Sequence, residues 1–281
     1  MFKTVLQIAY KNIFLQKRRA FLLIAMIGVS MGIMVALKGL YMGMSSRMID
    51  KSIRSDSGEI SLYAKNYRLE HSLSDVIANA KEKSKQILAL NGVDEVVYRL
   101  SVEGLTQTAT KAKPSTIIGI SLQDEQKFGD FDKFLEEGEL AFGKRGVFVT
   151  KEFAKSLKVK LGSKVIFTTQ DKENEIQSMA LVVKAIVKMG NMKIDNASIF
   201  VPRKKLASFL GVDESVGTQI ALRTNSSLGT DGFSLALFGA KASDSENLDS
   251  FKDRLEKMFP LLEVMLFEEL YPQLTQMKTL M

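Results

Sequence analysis

The chain has 281 residues, 46% hydrophobic and 25% charged, a length and balance suited to one or two domains with a sizeable core. It has no cysteine, which excludes disulfides and thiolate metal sites, and its single histidine, His71, leaves almost no material for a histidine triad or a zinc site and reads as a surface or cap residue. The formal net charge is +7, but five of the cations, Lys3, Lys11, Lys17, Arg18 and Arg19, stand in residues 1–19 with no acid among them; the remainder reads as a solvated surface without the basic, aromatic-interleaved patch of a nucleic-acid binder.

In residues 1–16, Phe2, Val5, Leu6, Ala9 and Ile13 form an apolar stripe at helical spacing, with Lys3, Gln7 and Lys11 largely off it. This predicts an amphipathic helix lying in the cytoplasmic membrane interface. Ala20 to Leu37 then carry no charge, and a run of about 18 apolar residues suffices to cross a bilayer. Lys38 follows, where a long side chain can reach the interface. A cleavable signal and a buried core helix are the competing readings. A signal has an apolar stretch of about 7–15 residues and a small-residue cleavage site. This run is longer, starts late and ends in Val35-Ala36-Leu37-Lys38, so a transmembrane helix within residues 17–57, with a periplasmic extension, is the preferred reading. Lys17, Arg18 and Arg19 then keep the N-terminus in the cytoplasm and place the chain after about residue 45 outside the inner membrane.

Gly28, Gly32, Ala36, Gly39 and Gly43 follow one another at steps of three or four and line one helix face. Small residues at such spacing let helix backbones approach closely. They are the candidate helix-packing residues, against the plain alternative that glycine is common in membrane helices.

Beyond the span, residues 58–67 read as a strand, 72–93 as a helix capped by Ser72 or Ser74 with Val76, Ile77, Ala80, Ile87 and Leu88 on its inner face, and the residues after 92 and 115–122 as two further strands. A second stretch begins near Phe131. Residues 146–159 read as a strand and a helix capped by Thr150, and 162–190 as a hairpin turning at Asp171–Asn174. Residues 197–211 read as a strand, then a helix between Pro202 and Gly211. A strand at 217–225, a helix at 245–259 and a strand at 262–270 follow. The order is that of an α+β protein. The economical division is a split α/β subdomain, 58–130 and 220–272, around an inserted β-rich subdomain, 131–219, with 273–281 starting a second membrane helix that is cut short.

No catalytic constellation emerges. Glu136-Glu137-Gly138-Glu139 reads as a solvated turn, and Asp130 and Asp132 lack the ligand spacing of a calcium loop. The phosphate-binding Gly-x-x-x-x-Gly-Lys-Ser/Thr pattern is missing. Catalytic, cofactor and metal residues are therefore all expected to be none.

The ordered segments "AYKNIFLQKRRAFLLIAMIGVSMG", "GEISLY", "IIGISLQDE", "FLEEGE", "GVFVTKEFAKSLKVKLGSKVIF", "DNASIFVPRKKLASFLG" and "FEELYPQLTQM" resemble the permease subunits of MacB/FtsX-type ABC transporters, and most of all the lipoprotein-releasing LolC/LolE group. The resemblance implies a MacB-like periplasmic domain after the first membrane helix, and three more membrane helices. It implies no cofactor and no enzymatic activity of the chain's own, with ATP hydrolysis in a separate cytoplasmic ATPase subunit. It also implies a second permease copy or paralogue, mechanical transmission to the periplasmic domains, and a lipoprotein cargo passed to a periplasmic carrier. The hairpin at Thr168–Ser178 is shorter and more charged than the carrier-docking hairpin of LolC. A MacB-like export permease and a single-span periplasmic scaffold or regulator are the alternatives.

Overall fold

The computed structural model describes residues 17–70, 73, 75–173, 175–224 and 248–273. The interfacial helix expected over 1–16, His71, the caps Ser72 and Ser74, and the expected membrane helix start from residue 274 onward lie outside the described residues. Two compact units divide the chain, one N-terminal and one formed by residues 48–276.

The N-terminal unit contains most of α1 (Lys17–Ser52). Between Phe21 and Met44 all its large apolar side chains but the half-buried Met42 are exposed around the helix. A helix of a soluble core hides an apolar stripe, whereas one apolar all round needs an apolar solvent. Among the described residues α1 is the one helix long and apolar enough to cross a membrane.

In residues 48–276, α1 ends in a π turn (Ile53–Ser57), followed by β1 (Ile60–Ala64), α2 (Tyr67–Glu70), α3 (Ala80–Leu88), β2 (Val93–Gln107) and β3 (Ala112–Ile120). Next come α4 (Leu122–Gly129), a 3-10 turn (Phe131–Phe134), β4 (Leu135–Gly138), β5 (Gly146–Thr150), α5 (Lys151–Leu157), β6 (Lys164–Gln170) and β7 (Ile176–Val187). Then follow α6 (Met192–Ala197), β8 (Ser198–Pro202), α7 (Arg203–Leu210), β9 (Gln219–Thr224), α8 (Leu248–Met258), β10 (Leu262–Leu266) and α9 (Phe267–Leu270). This is the mixed α+β fold the sequence predicts.

The strands form two arrangements that share β2. In the first, an open antiparallel sheet, β1 lies between β10 and β9, and β9 pairs with Val93–Arg99 of β2. From Leu100 onward β2 pairs with β3 instead. The order then runs β3-β8-β5-β7-β6, and β6 returns to Leu105–Gln107 of β2, closing a six-stranded ring. Strand side chains alternate between faces. On β6, Val165 and Phe167 therefore point inward while Lys164 and Ile166 stay exposed. Inside the ring, Val102, Val147, Phe167, Leu181 and Val201 pack with Phe153 and Leu157 of α5 and Leu206 of α7. Outside it, Phe131 meets Phe200 edge to face at 5.7 Å and Phe142 stacks on Phe148 at 3.9 Å.

On one face of the open sheet, Ile60, Leu62, Ile220, Leu222 and Val264 pack with Ile87 of α3 and Phe251 and Leu255 of α8. The opposite face is largely polar: Ser61, Tyr63, Arg99 and Gln219 occupy alternate positions of β1, β2 and β9, beside a small apolar patch of Val97 and Ala221 under Phe128.

Several local expectations change. The helix expected from 72 starts at Ala80, because Ile77 and Gly217 exchange backbone hydrogen bonds and Asn79 adopts a left-handed φ of 53°. Val76 and Ile77 precede that helix and do not form its face, and Leu88, expected on that face, is exposed; Ala80, Ser84 and Ile87 are its buried residues. Thr150 stands at the start of α5 without capping it; its hydroxyl donates to the Ser198 carbonyl at 2.9 Å and ties β5 to the start of β8. The strand expected over 262–270 ends at Leu266, where Glu269 turns back to accept the Leu266 N–H at 2.9 Å and Phe267 N–H donates to Glu59 O. The acidic run read as a turn contains β4, which pairs with β7 while Glu136 and Glu137 remain exposed.

Candidate functional site

The polar face of the open sheet is covered by the π turn and by α4. Arg99 interrupts the otherwise apolar run Val96-Val97-Tyr98-Arg99-Leu100 and is only 4% exposed. A buried guanidinium requires a matched acceptor. Glu125 of α4 supplies one in fork geometry, with Nε to Oε1 at 2.5 Å and Nη2 to Oε2 at 2.7 Å. Nη1 donates to the Asp56 carbonyl and, at 3.4 Å, to Gln219 Oε1. The Phe128 ring lies under the guanidinium at 5.5 Å. Burial works to lower the Arg99 pKa, but Glu125 and then Asp56 outweigh it and the net shift is upward.

Gln219 extends the network, its Nε2 donating to Tyr63 Oη at 3.0 Å and to Ser61 Oγ at 3.1 Å. Next to it Tyr67 donates to the Ser101 carbonyl at 2.9 Å, and the hydroxyls of Ser101 and Thr218 share a 2.9 Å hydrogen bond. At the other end Tyr271, just past α9, donates to Asp56 Oδ2 and accepts from Asn191 Nδ2 at 3.1 Å. Burial, and then the Asp56 carboxylate, push the Tyr63 and Tyr271 phenols far above the ordinary tyrosine range. Both stay protonated, Tyr271 donating to Asp56 and Tyr63 accepting from Gln219.

These groups border a cleft of about 770 Å³, with Ser55, Arg99 and Gln219 on one wall and Asn191, Met192 and Phe200 on another. Ser55 is 4% exposed, and its hydroxyl has no partner among the described residues. Among the described residues no group of three or more His, Asp or Glu side chains could hold a metal ion. What the arrangement does is join four chain segments, the π turn, the open sheet, α4 and the residues after α9, through buried hydrogen bonds.

The residues singled out from the sequence lie elsewhere. Lys17, Arg18 and Arg19 form the exposed first turn of α1. Gly28, Gly32, Ala36, Gly39 and Gly43 lie along the same helix, and no atom comes within 4 Å of where a Cβ on any of the four glycines would sit. Sequence reasoning missed Asp56, Arg99, Glu125, Gln219 and Tyr271. The signal for Arg99 was present, as an arginine at a strand position between two buried apolar residues.

One helix long and apolar enough to cross a membrane, joined to a mixed α+β module, defines the class of protein to which the chain belongs. Residues 20–258 match the model of the MacB-like periplasmic core domain, and the chain belongs to this family, a permease component of an ABC transporter that works with a cytoplasmic ATPase. Among solved structures it is similar to the extracellular domain of the ABC-type transporter YknZ from Gram-positive bacteria, at 16% identity over 73% of this chain and 98% of that one, with a TM-score of 0.44. It is also similar to the periplasmic region of MacB from Actinobacillus actinomycetemcomitans, at 14% identity over 79% and 95%, TM-score 0.48. A domain of a permease protein from Porphyromonas gingivalis is similar at 11% identity over 73% and 85%, TM-score 0.39. No curated protein matches significantly.

Proposed function

We propose that the chain is the N-terminal part of a permease subunit of the mechanotransmission type, with residues 1–16 in the cytoplasm and the chain after about residue 45 in the periplasm. ATP hydrolysis in the separate ATPase moves the periplasmic module, and a second permease copy or paralogue packs against the small-residue face of α1. Lipoprotein released from the inner membrane is the cargo this reading favours, on the strength of the ordered segments shared with the LolC/LolE group. The observation that carries the proposal is the seating of the π turn. α1 runs without a break from Lys17 to Ser52, and its continuation at Asp56 is held by Arg99, Gln219 and Tyr271. A displacement of the helix end therefore reaches the sheet through part-buried hydrogen bonds to Asp56 rather than through a slack linker.

The orientation is tested with an impermeant maleimide on intact spheroplasts. Lys3→Cys is expected to stay unlabelled and Asp171→Cys to react; equal labelling of both sinks the topology. For the transport reading, the chain is expected to support lipoprotein release only together with a polypeptide supplying further spans and with the ATPase. Full activity of the 281 residues alone would favour a single-span scaffold.

A further inference from the structure

Three segments distant in sequence meet at one phenol. Tyr271 donates to the carboxylate of Asp56 in the π turn and accepts from the amide of Asn191 at the corner between β7 and α6. Both outer partners are themselves fixed. The Asp56 carbonyl accepts from Arg99 and Gln219, and Asn191 Oδ1 accepts the Lys193 N–H at 3.0 Å, capping α6. The Tyr271 ring packs against Phe267 at 5.2 Å and its N–H donates to the Phe267 carbonyl.

Next to this junction the π turn, at the end of α1, carries a reporter of its own position. Ser55 is buried in the turn, with no hydrogen-bond partner among the described residues, and borders the cleft. A turn that moved toward the cleft would expose this side chain.

We infer that Tyr271 is a latch: its hydroxyl joins the π turn, the segment after α9 and the β7–α6 corner, and its release frees the turn and exposes Ser55 at the cleft. The latch rests on the transmission reading as the site where the stroke is passed on, but it is measurable without transport.

Because the native chain has no cysteine, Ser55→Cys supplies the only thiol. Its maleimide reaction in the full chain, in native membranes, is expected to be slow. It should accelerate at least about tenfold on adding Tyr271→Phe, the scale of one lost hydrogen bond to a charged group. Asp56→Asn should act in the same direction, and Asn191→Ala, which leaves the Tyr271–Asp56 contact in place, more weakly. Ala221→Cys, fully buried in the same sheet, should stay protected in every background. An unchanged rate at Ser55→Cys with Tyr271→Phe overturns the latch, and so does equal acceleration at Ala221→Cys, which would make Tyr271 a general structural residue. Adding MgATP to the same membranes separates the two ideas. Acceleration at Ser55→Cys in the chain with Tyr271 intact joins the latch to the ATPase. No nucleotide response alongside a clear Tyr271→Phe effect keeps the latch and removes the transmission reading.

Discussion

The closed ring and the open sheet share β2 and bury different kinds of group. The ring interior is built of side chains such as Val102, Phe167 and Leu181, each less than a tenth exposed. Of the four buried charged residues among those described, Glu59, Arg99 and Glu125 belong to the open sheet and the elements covering it. The fourth, Asp195 in α6, accepts the N–H groups of Met189 and Gly190. Apolar packing in a closed ring has no alternative partners and resists small displacements as a body. A buried polar network holds one geometry while every member is paired and loses much of its worth when one contact is exchanged. The difference assigns rigidity to the ring and responsiveness to the polar face of the sheet.

The largest effect expected is in the ring. Phe167→Ala should cost about 4 kcal/mol in urea-induced unfolding, since a large buried ring leaves a cavity that a closed barrel cannot collapse into. A cost near that of a surface substitution would show that the ring is not the rigid partner. In the open sheet, Glu125→Ala should cost about 3 kcal/mol because it strands the Arg99 guanidinium without its carboxylate. Adding Arg99→Met to that variant should restore most of the loss, which no general loosening of α4 would allow.

A smaller effect concerns Glu59, whose pKa burial pushes up. The N–H of Thr224, and then Arg223 and Arg54, draw it back only in part. The folded chain therefore holds this proton more tightly than the unfolded one. The contribution is full below the ordinary carboxylate range and is lost as the pH rises through the folded pKa. Glu59→Gln is expected to flatten that decline in a series of urea midpoints against pH; an unchanged slope would assign it to other groups. Smallest on the fold is Gly32→Leu in α1, expected to alter the stability of residues 48–276 by less than about 0.5 kcal/mol. It should nevertheless abolish co-purification with partner membrane helices, which Met31→Leu leaves intact. Equal recovery with both variants would reduce the glycine face to composition.

Much of the fold was legible in the sequence because its signals are local. The uncharged run of α1, the alternation in β6 and β7, and Gly211 with a φ of 67° after α7 each follow from neighbouring residues. Helix starts were less legible where a distant partner decides them, as Gly217 does for Ile77. The buried network was illegible for the same reason. Asp56, Arg99, Glu125, Gln219 and Tyr271 are widely separated along the chain, and all but Arg99 read alone as ordinary surface residues. Only the change of partner along β2, from β9 to β3 after Arg99, brings them onto one face.

That shared strand also sets an order of assembly. The ring strands, β2, β3 and β5 through β8, are drawn from the continuous stretch 93–202, so the ring can close before the rest of the chain has been synthesised. β1 emerges earlier but finds its two neighbours only when residues 219–224 and 262–266 arrive. Until then Ile60 and Leu62 are exposed on a strand with both edges open, a pairing template for any other nascent chain nearby. The same β1 carries Ser61 and Tyr63 on its other face, and an alternating strand is less adhesive than a uniformly apolar one. The polar face thus serves the chain twice, first as protection during synthesis and later as the seat of the network.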